Sequence, residues 1–209
     1  MASSLVTVVD YGVGNLFSVR RALESVGAEV ALTSDAAVIR DAERLVLPGV
    51  GAFADGMREL QERGLVDALR AYGNSGRPML GICLGMQMLG SSSTEFGVHE
   101  GLGLIPGAVV EVPRVTTEGN PQRVPNIGWC RLQVQPHAQG DAVIGDRDDY
   151  VYMVHSFHLV TDDPAHTTHA CLYGGHPLTA AVRRGAVWGT QFHPEKSGPV
   201  GLSMLRAFL

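Results

Sequence analysis

Three cysteines in 209 residues are too few, and odd in number, for a disulfide framework. No two of them are spaced as C-x-x-C, so the usual ligand set of a structural zinc is missing. No apolar stretch is long enough to span a bilayer. The opening Met1-Ala2-Ser3-Ser4 lacks the basic segment, apolar core and cleavage site of a secretory leader. These absences together lead to the expectation of a cytoplasmic chain. Excess positive charge is absent too: a net charge of −5 argues against a general binder of nucleic acid or anionic membrane. The pairs Arg20-Arg21 and Arg183-Arg184 read as solvated charge. There is no internal repeat and no low-complexity linker, so one continuous domain over residues 1–209 is the economical reading. What is there suits it: 45% apolar and 18% charged residues are ordinary for a soluble globular protein with a sizeable core.

The first half alternates strand and helix signals. Leu5 to Val9 is a short apolar run ending at Asp10, followed by the turn Gly12-Val13-Gly14. A helix is predicted from about Asn15 to Val26, with Leu16, Val19, Leu23 and Val26 on one face and Gly27 as its stop. Glu29 to Leu32 and Leu45 to Leu47 read as the next strands, the latter closed by Pro48. An amphipathic stretch from Ala54 to Tyr72, interrupted at Gly64, precedes a fourth strand from Met79 to Ile82. This order argues for a parallel sheet covered by helices. From Ala108 to about Val187 the runs become short and strand-like, punctuated by Pro and Gly, which predicts antiparallel pairs. Ser197 is placed to cap a last helix, with Pro199 in its first turn and Leu202, Leu205 and Leu209 facing inward.

The most informative stretch is Gly81-Ile82-Cys83-Leu84-Gly85, at the end of the fourth strand and the start of a helix-like run. A nucleophile on such an elbow stands exposed at the sheet's edge. The flanking glycines allow close backbone approach, and the helix N-terminus favours a thiolate. Cysteine chemistry needs a base and a group to orient it. Of eight histidines, His193 stands out in Gln191-Phe192-His193-Pro194-Glu195-Lys196. In an extended segment, residues two apart share a side, so His193 and Glu195 can both face the elbow. Acyl transfer also needs donors for an oxyanion. The N–H of Leu84 is one, and the glycine-rich turn Pro48-Gly49-Val50-Gly51-Ala52-Phe53 lies where it can supply another. Asp10-Tyr11-Gly12-Val13-Gly14-Asn15 is not a dinucleotide fingerprint, because Phe17 stands where the third glycine belongs.

The elbow, extended to Met86-Gln87, and the His-Pro-Glu segment together resemble the class I glutamine amidotransferases. Four further segments are similar to the glutaminase subunits of imidazole glycerol phosphate synthases: Asp10 to Leu16, Leu47 to Phe53, Val154-His155-Ser156-Phe157, and Gly189 to Ser197. The resemblance runs over essentially the whole chain. It implies a flavodoxin-like mixed α/β sheet, with a parallel core, helices on both faces and antiparallel additions in the second half. It implies Cys83 as nucleophile toward the glutamine side-chain amide, His193 as base and then acid, and Glu195 as its orienting group. Gln87 and Glu95 match glutamine-binding positions, His155-Ser156-Phe157 a segment holding the substrate's α-carboxylate end, and Gly49-Val50-Gly51 the oxyanion strand. No cofactor or metal is implied. The implied partner is a (β/α)8-barrel synthase subunit that receives the ammonia in a heterodimer, with Asn15 and Trp129 at interface positions. Without the resemblance, Asn15 reads as a helix cap and Trp129 as a half-buried core aromatic.

The chain departs from the family pattern in Val124-Pro125-Asn126-Ile127-Gly128-Trp129-Cys130, where Asn126 replaces histidine and Cys130 replaces asparagine, both expected near the partner. Phe157 stands where tyrosine is common. Cys130 and Cys171 are expected to be inert packed thiols. Three alternatives stay open on the sequence: the glutaminase of another synthase, of anthranilate or pyridoxal phosphate type; a catalytically silent interaction protein on this scaffold; and a cysteine peptidase or stand-alone hydrolase of related fold.

Overall fold

The structure is a computed structural model that describes residues 4–209. The chain begins β1 (Ser4–Val9), α1 (Leu16–Ser25), β2 (Ala28–Thr33), α2 (Ala36–Asp41), β3 (Leu45–Gly49), α3 (Phe53–Glu62), α4 (Val66–Gly73), β4 (Met79–Cys83) and α5 (Leu84–Met88). It continues through the short β5 (Ser92–Ser93) and β6 (His99–Glu100), then β7 (Gly107–Glu111), β8 (Asn126–Val134), β9 (Tyr150–His155) and β10 (Phe157–Thr161). It ends with β11 (Thr167–Tyr173), β12 (His176–Arg184), β13 (Val187–Thr190) and α6 (Gly198–Phe208).

The main sheet has nine strands in the order β2-β1-β3-β4-β13-β12-β11-β8-β9. Pairings from β2 to β13 are parallel, and those from β13 to β9 antiparallel. A smaller sheet, β10-β7-β5-β6, packs beside it. Inside the edge strand β2, the parallel strands are buried on both sides, which is why β1, β3 and β4 read as unbroken apolar runs. β3 sends Leu45 and Leu47 into one core and Val46 into the other; β4 divides Met79 from Leu80 and Ile82 in the same way. The first core is closed by α3 and α4 through Leu60, Leu69 and Tyr72, the second by α1 and α6 through Val19, Leu23, Met204 and Phe208. Helices therefore cover both faces, as the resemblance implied.

Asn15 caps α1, its side-chain oxygen accepting from the Ser18 N–H at 3.3 Å. The last helix departs from expectation at its cap. Ser197 makes no side-chain cap; its hydroxyl donates to the His193 carbonyl at 2.7 Å and accepts from the Tyr152 N–H at 3.0 Å. The buried face of α6 is Gly201, Met204, Leu205 and Phe208. Leu202 and Leu209 are partly buried and pack against the same core, on the inner side as expected. No described helix is long and apolar enough to cross a membrane.

Candidate active site

The site begins with a strained residue. Cys83 ends β4 at φ 55° and ψ −112°, a region that costs a non-glycine residue about 1–3 kcal/mol. The turn is held by close packing. A Cβ on Gly85 would lie 1.8 Å from the Leu47 carbonyl oxygen, and one on Gly81 2.8 Å from the Met86 nitrogen. With α5 pressed on β3 and β4 in this way, the Cys83 side chain is turned out at the sheet's C-terminal edge.

β3, β4 and β13 are adjacent and parallel, so their C-terminal ends share that edge. Gly49 stands opposite Cys83, and Thr190 opposite Ile82. The segment after Thr190 therefore emerges beside the sulfur. His193 lines the same cleft as the Cys83 sulfur, and its Nδ1 meets Glu195 Oε1 at 2.8 Å. Both side chains are almost wholly buried. Burial alone lowers an imidazole's affinity for a proton, but the bonds and charges of Cys83 and Glu195 outweigh it and raise the His193 pKa to about 9. These neighbours thus favour the protonated imidazole. The Ser197 clamp on the His193 carbonyl and the His193 N–H to Tyr152 carbonyl bond, 3.3 Å, tie this segment to β9.

A cleft of about 300 Å³ opens over the sulfur, a volume suited to a small molecule. Val50, Gly51, Leu84, Gln87, Glu95, His155, Ser156, Phe157 and His193 line it together with Cys83. Leu84 is the first residue of α5, where an N–H has no partner inside the helix. Gly49 does not line the cleft; it sits behind Val50, under the Tyr11 hydroxyl. That hydroxyl donates to the Pro48 carbonyl at 2.8 Å, fixing the peptide that leads into the turn. Burial, with the Cys83 charge nearby, pushes the Tyr11 phenol well above its ordinary range, so it stays a donor. Glu95 accepts the Phe53 N–H on Oε2 at 2.7 Å. It therefore anchors the N-terminus of α3, directly after the glycine-rich turn, and lines the cleft. Gln87 spends both protons of Nε2 on the Phe157 carbonyl, 2.9 Å, and Gln191 Oε1, 3.1 Å. Only its Oε1, an acceptor, remains for a ligand.

Asn15 and Trp129 lie outside the cleft. Trp129 is 58% exposed, edge-on to Tyr152, and is not a core aromatic. Asn126, expected at the partner surface, is buried; its Nδ2 lies 3.1 Å from His155 Nε2 because the first residue of β8 pairs with the last of β9. Pro125, which follows a cis peptide, and Val154 also line the cleft. Neither these nor Gln191 carried a local signal beyond membership in longer motifs. Cys171 is a buried free thiol, while Cys130 is a half-buried one that donates to the Leu172 carbonyl at 3.7 Å. Another cleft of similar size, about 310 Å³, is lined by His137, Asp141 and Arg183. It lacks a nucleophile, and Asp141 there is spent on Val143, Ile144, Arg183 and Trp188.

The histidines behind the cleft set an acid limit. Burial lowers His155 to about 4, despite its bond to the Phe157 carbonyl, and burial with the neighbouring His155 lowers His158 to about 4. The unfolded chain binds these protons near pH 6.5 and the folded chain does not. Their contribution is thus complete above about 6.5 and is lost as pH falls toward 4. The unfolding free energy from urea titration is expected to drop between pH 7 and 5, by on the order of 1 kcal/mol per pH unit for each histidine. His155→Gln removes one share of that slope; an unchanged slope in the variant contradicts the assignment.

Comparison with known proteins gives the family and the fold. A family model described as "Glutamine amidotransferase class-I" matches residues 7–209. Imidazole glycerol phosphate synthase subunit HisH 1 of Legionella pneumophila (strain Lens) is 45% identical over 210 residues, covering 99% of each chain. Subunit HisH of Geobacter sulfurreducens is 43% identical over 204 residues, covering 97% of each. Among solved structures, PurLQS from Thermotoga maritima aligns with a TM-score of 0.72 at 21% identity, over 99% of this chain and 98% of that one. The acivicin-bound glutaminase domain of Trypanosoma brucei CTPS gives 0.62 at 16% identity, over 99% and 94%. At such identities these two support the fold alone.

Proposed function

Since the chain belongs to the class I glutamine amidotransferases, and within them to the HisH subunits of imidazole glycerol phosphate synthase, we propose that it is the glutaminase of that synthase, acting as one amidotransferase domain over residues 1–209. It hydrolyses glutamine to glutamate and ammonia for histidine biosynthesis, in the cytoplasm. The ammonia passes to a (β/α)8-barrel synthase subunit, which uses it to make imidazole glycerol phosphate and aminoimidazole carboxamide ribotide. The observation that carries the reading is the line from Cys83 through His193 to Glu195 at the ends of adjacent parallel strands, beneath a cleft of small-molecule size.

Cys83 Sγ, as thiolate, attacks the side-chain amide carbon of glutamine. The developing oxyanion takes the N–H of Leu84 and a donor from the Val50-Gly51 turn. His193 gives its proton to the amide nitrogen, the C–N bond breaks, and ammonia leaves a γ-glutamyl thioester on Cys83. Water then loses a proton to His193 as it attacks the thioester, and glutamate departs with regeneration of the thiolate. Glu195, on Nδ1, keeps the reacting proton on the other ring nitrogen. Gln87 Oε1 and the free oxygen of Glu95 are acceptors suited to the substrate ammonium. The exposed Trp129 and Ile127 on β8, with Phe17 beside Asn15 on α1, are suited to a partner's face.

The test is glutamate release by the purified chain alone, then with the barrel synthase and its ribonucleotide substrate. Strong stimulation in the full mixture is expected, on the order of 10²-fold or more, as for a reaction that needs an oxyanion donor brought into place. Equal rates in all mixtures would send the activity to a different synthase. The anthranilate and pyridoxal phosphate alternatives are weakened by the names of the relatives, all HisH subunits at 43–45% identity.

A further inference from the structure

One buried side chain at the nucleophile has no part in the steps above. Gln191 follows the last residue of β13 and is fully buried. Its Oε1 accepts from Gln87 Nε2 at 3.1 Å, and its Nε2 donates to Cys83 Sγ at 3.8 Å. We propose that Gln191 is a fourth side chain of the catalytic machinery, a neutral donor that holds the Cys83 sulfur as its anion and is itself oriented by a hydrogen-bond relay running back to Asn126. The proposal rests on the reading of Cys83 as nucleophile.

The orientation of Gln191 follows from its neighbours. A carboxamide can be turned over without a change of shape, so the surrounding donors and acceptors decide which end is nitrogen. The Phe157 carbonyl is an acceptor only. It takes Gln87 Nε2 at 2.9 Å and His155 Nδ1 at 3.0 Å. Gln87 therefore presents nitrogen to Phe157, and the second proton of that nitrogen requires Gln191 to present Oε1. Gln191 Nε2 is left facing the sulfur. With its proton on Nδ1, His155 offers Nε2 as an acceptor, and Asn126 Nδ2 fills it at 3.1 Å. Every polar end in the relay has one consistent assignment.

A donor to sulfur is weak against a thiol and stronger against a thiolate, more so in a buried site. Gln191 therefore favours the form that attacks. It also favours the form that leaves when the thioester is hydrolysed, since the sulfur regains its charge in that step. It makes no contact in the part of the cleft that receives the substrate, so its effect belongs in kcat. The ionisable groups near the sulfur are Tyr11 from the end of β1, His193 with Glu195 behind it, and Glu95 and His155 across the cleft. All remain in a Gln191 variant.

The test uses Gln191→Met, which keeps length and loses the donor, and Gln191→Glu, which keeps shape and sets a carboxylate against the sulfur. Iodoacetamide alkylation of Cys83 is followed at pH 7 by peptide mass mapping, with Cys130 alkylation as an internal measure of intact packing. Steady-state constants for glutamine are taken with the synthase partner and ribonucleotide. Cys83 alkylation is expected to slow about tenfold in Gln191→Met, and further in Gln191→Glu, as for loss of a hydrogen bond to a charged group. The kcat falls in parallel while KM stays within about threefold. Wild-type alkylation rates at Cys83 in both variants, with Cys130 unchanged, would overturn the proposal even if kcat fell. Should Gln191→Met fail to fold, Gln87→Met removes the orienting donor and is judged by the same rates. Alkylation needs neither glutamine nor partner. A wild-type chain that cannot hydrolyse glutamine but shows the Gln191 effect would therefore sink the glutaminase reading and leave the role of Gln191 standing.

Discussion

Replacing Cys83 with alanine is expected to reduce glutamine hydrolysis by on the order of 10⁴-fold or more, as for removal of a nucleophile that acts as a unit with its base. Synthesis driven by added ammonia should persist in the assembled enzyme within about twofold, since removing the sulfur leaves only binding and oxyanion contacts to this chain and touches nothing in the partner's own reaction. The fold should survive. Alanine is smaller than cysteine, and the positive φ at residue 83 is imposed by the packing of α5 on β3 and β4, which the substitution leaves intact. His193 would lose the bond and charge that raise its pKa and keep only Glu195 to oppose burial. Loss of both activities, with the complex still assembled, would contradict this division of labour.

Gly85→Ala is expected to be as damaging by a different route. The new Cβ would sit 1.8 Å from the Leu47 carbonyl oxygen and 2.8 Å from its carbon. Both atoms belong to the backbone of a central strand, paired to β4 on one side and β1 on the other. Neither can swing away as a side-chain tip can. Relief requires α5 to lift from the sheet, which displaces the Leu84 N–H and the elbow holding Cys83. Overpacking of this kind costs about 1–3 kcal/mol or more, enough to lower the melting temperature by several degrees. The glutaminase rate should fall more than 10²-fold, because displacing an oxyanion donor alone has that effect. Near wild-type activity in Gly85→Ala would mean that the close contact of α5 with β3 is not what sets the elbow.

The parts of this architecture legible in the sequence were those with strong local periodicity. β1, β3 and β4 are buried on both sides, so their apolar runs announce them. The elbow and His-Pro-Glu are compact motifs whose residues meet because β3, β4 and β13 end side by side. The second half was harder to read for physical reasons. β8 carries Ile127 and Trp129 outward, 60% and 58% exposed, so its apolar residues do not mark its buried face. β10 and β11 bury His158 and His169, residues that count as polar in any pattern. α2 has six residues, and β5 and β6 two each, too short for a period to register. Asn126 and Gln191 show the same limit at the site. Their partners lie 29 and more than 100 positions away, so only the folded pairing of β8 with β9 brings Asn126 to His155, and that of β13 with β4 brings Gln191 to the sulfur.

The most direct test of the central claim is covalent. The chain, with its synthase partner, is incubated with a chloroketone or diazoketone analogue of glutamine, and the modified thiol is located by intact mass and peptide mapping. The account predicts a single adduct on Cys83, lost in Cys83→Ala, slowed by competing glutamine, and accompanied by loss of glutaminase activity. An adduct on Cys130, or inactivation that leaves Cys83 unmodified, would show that the nucleophile lies elsewhere and that the elbow is not the reacting centre.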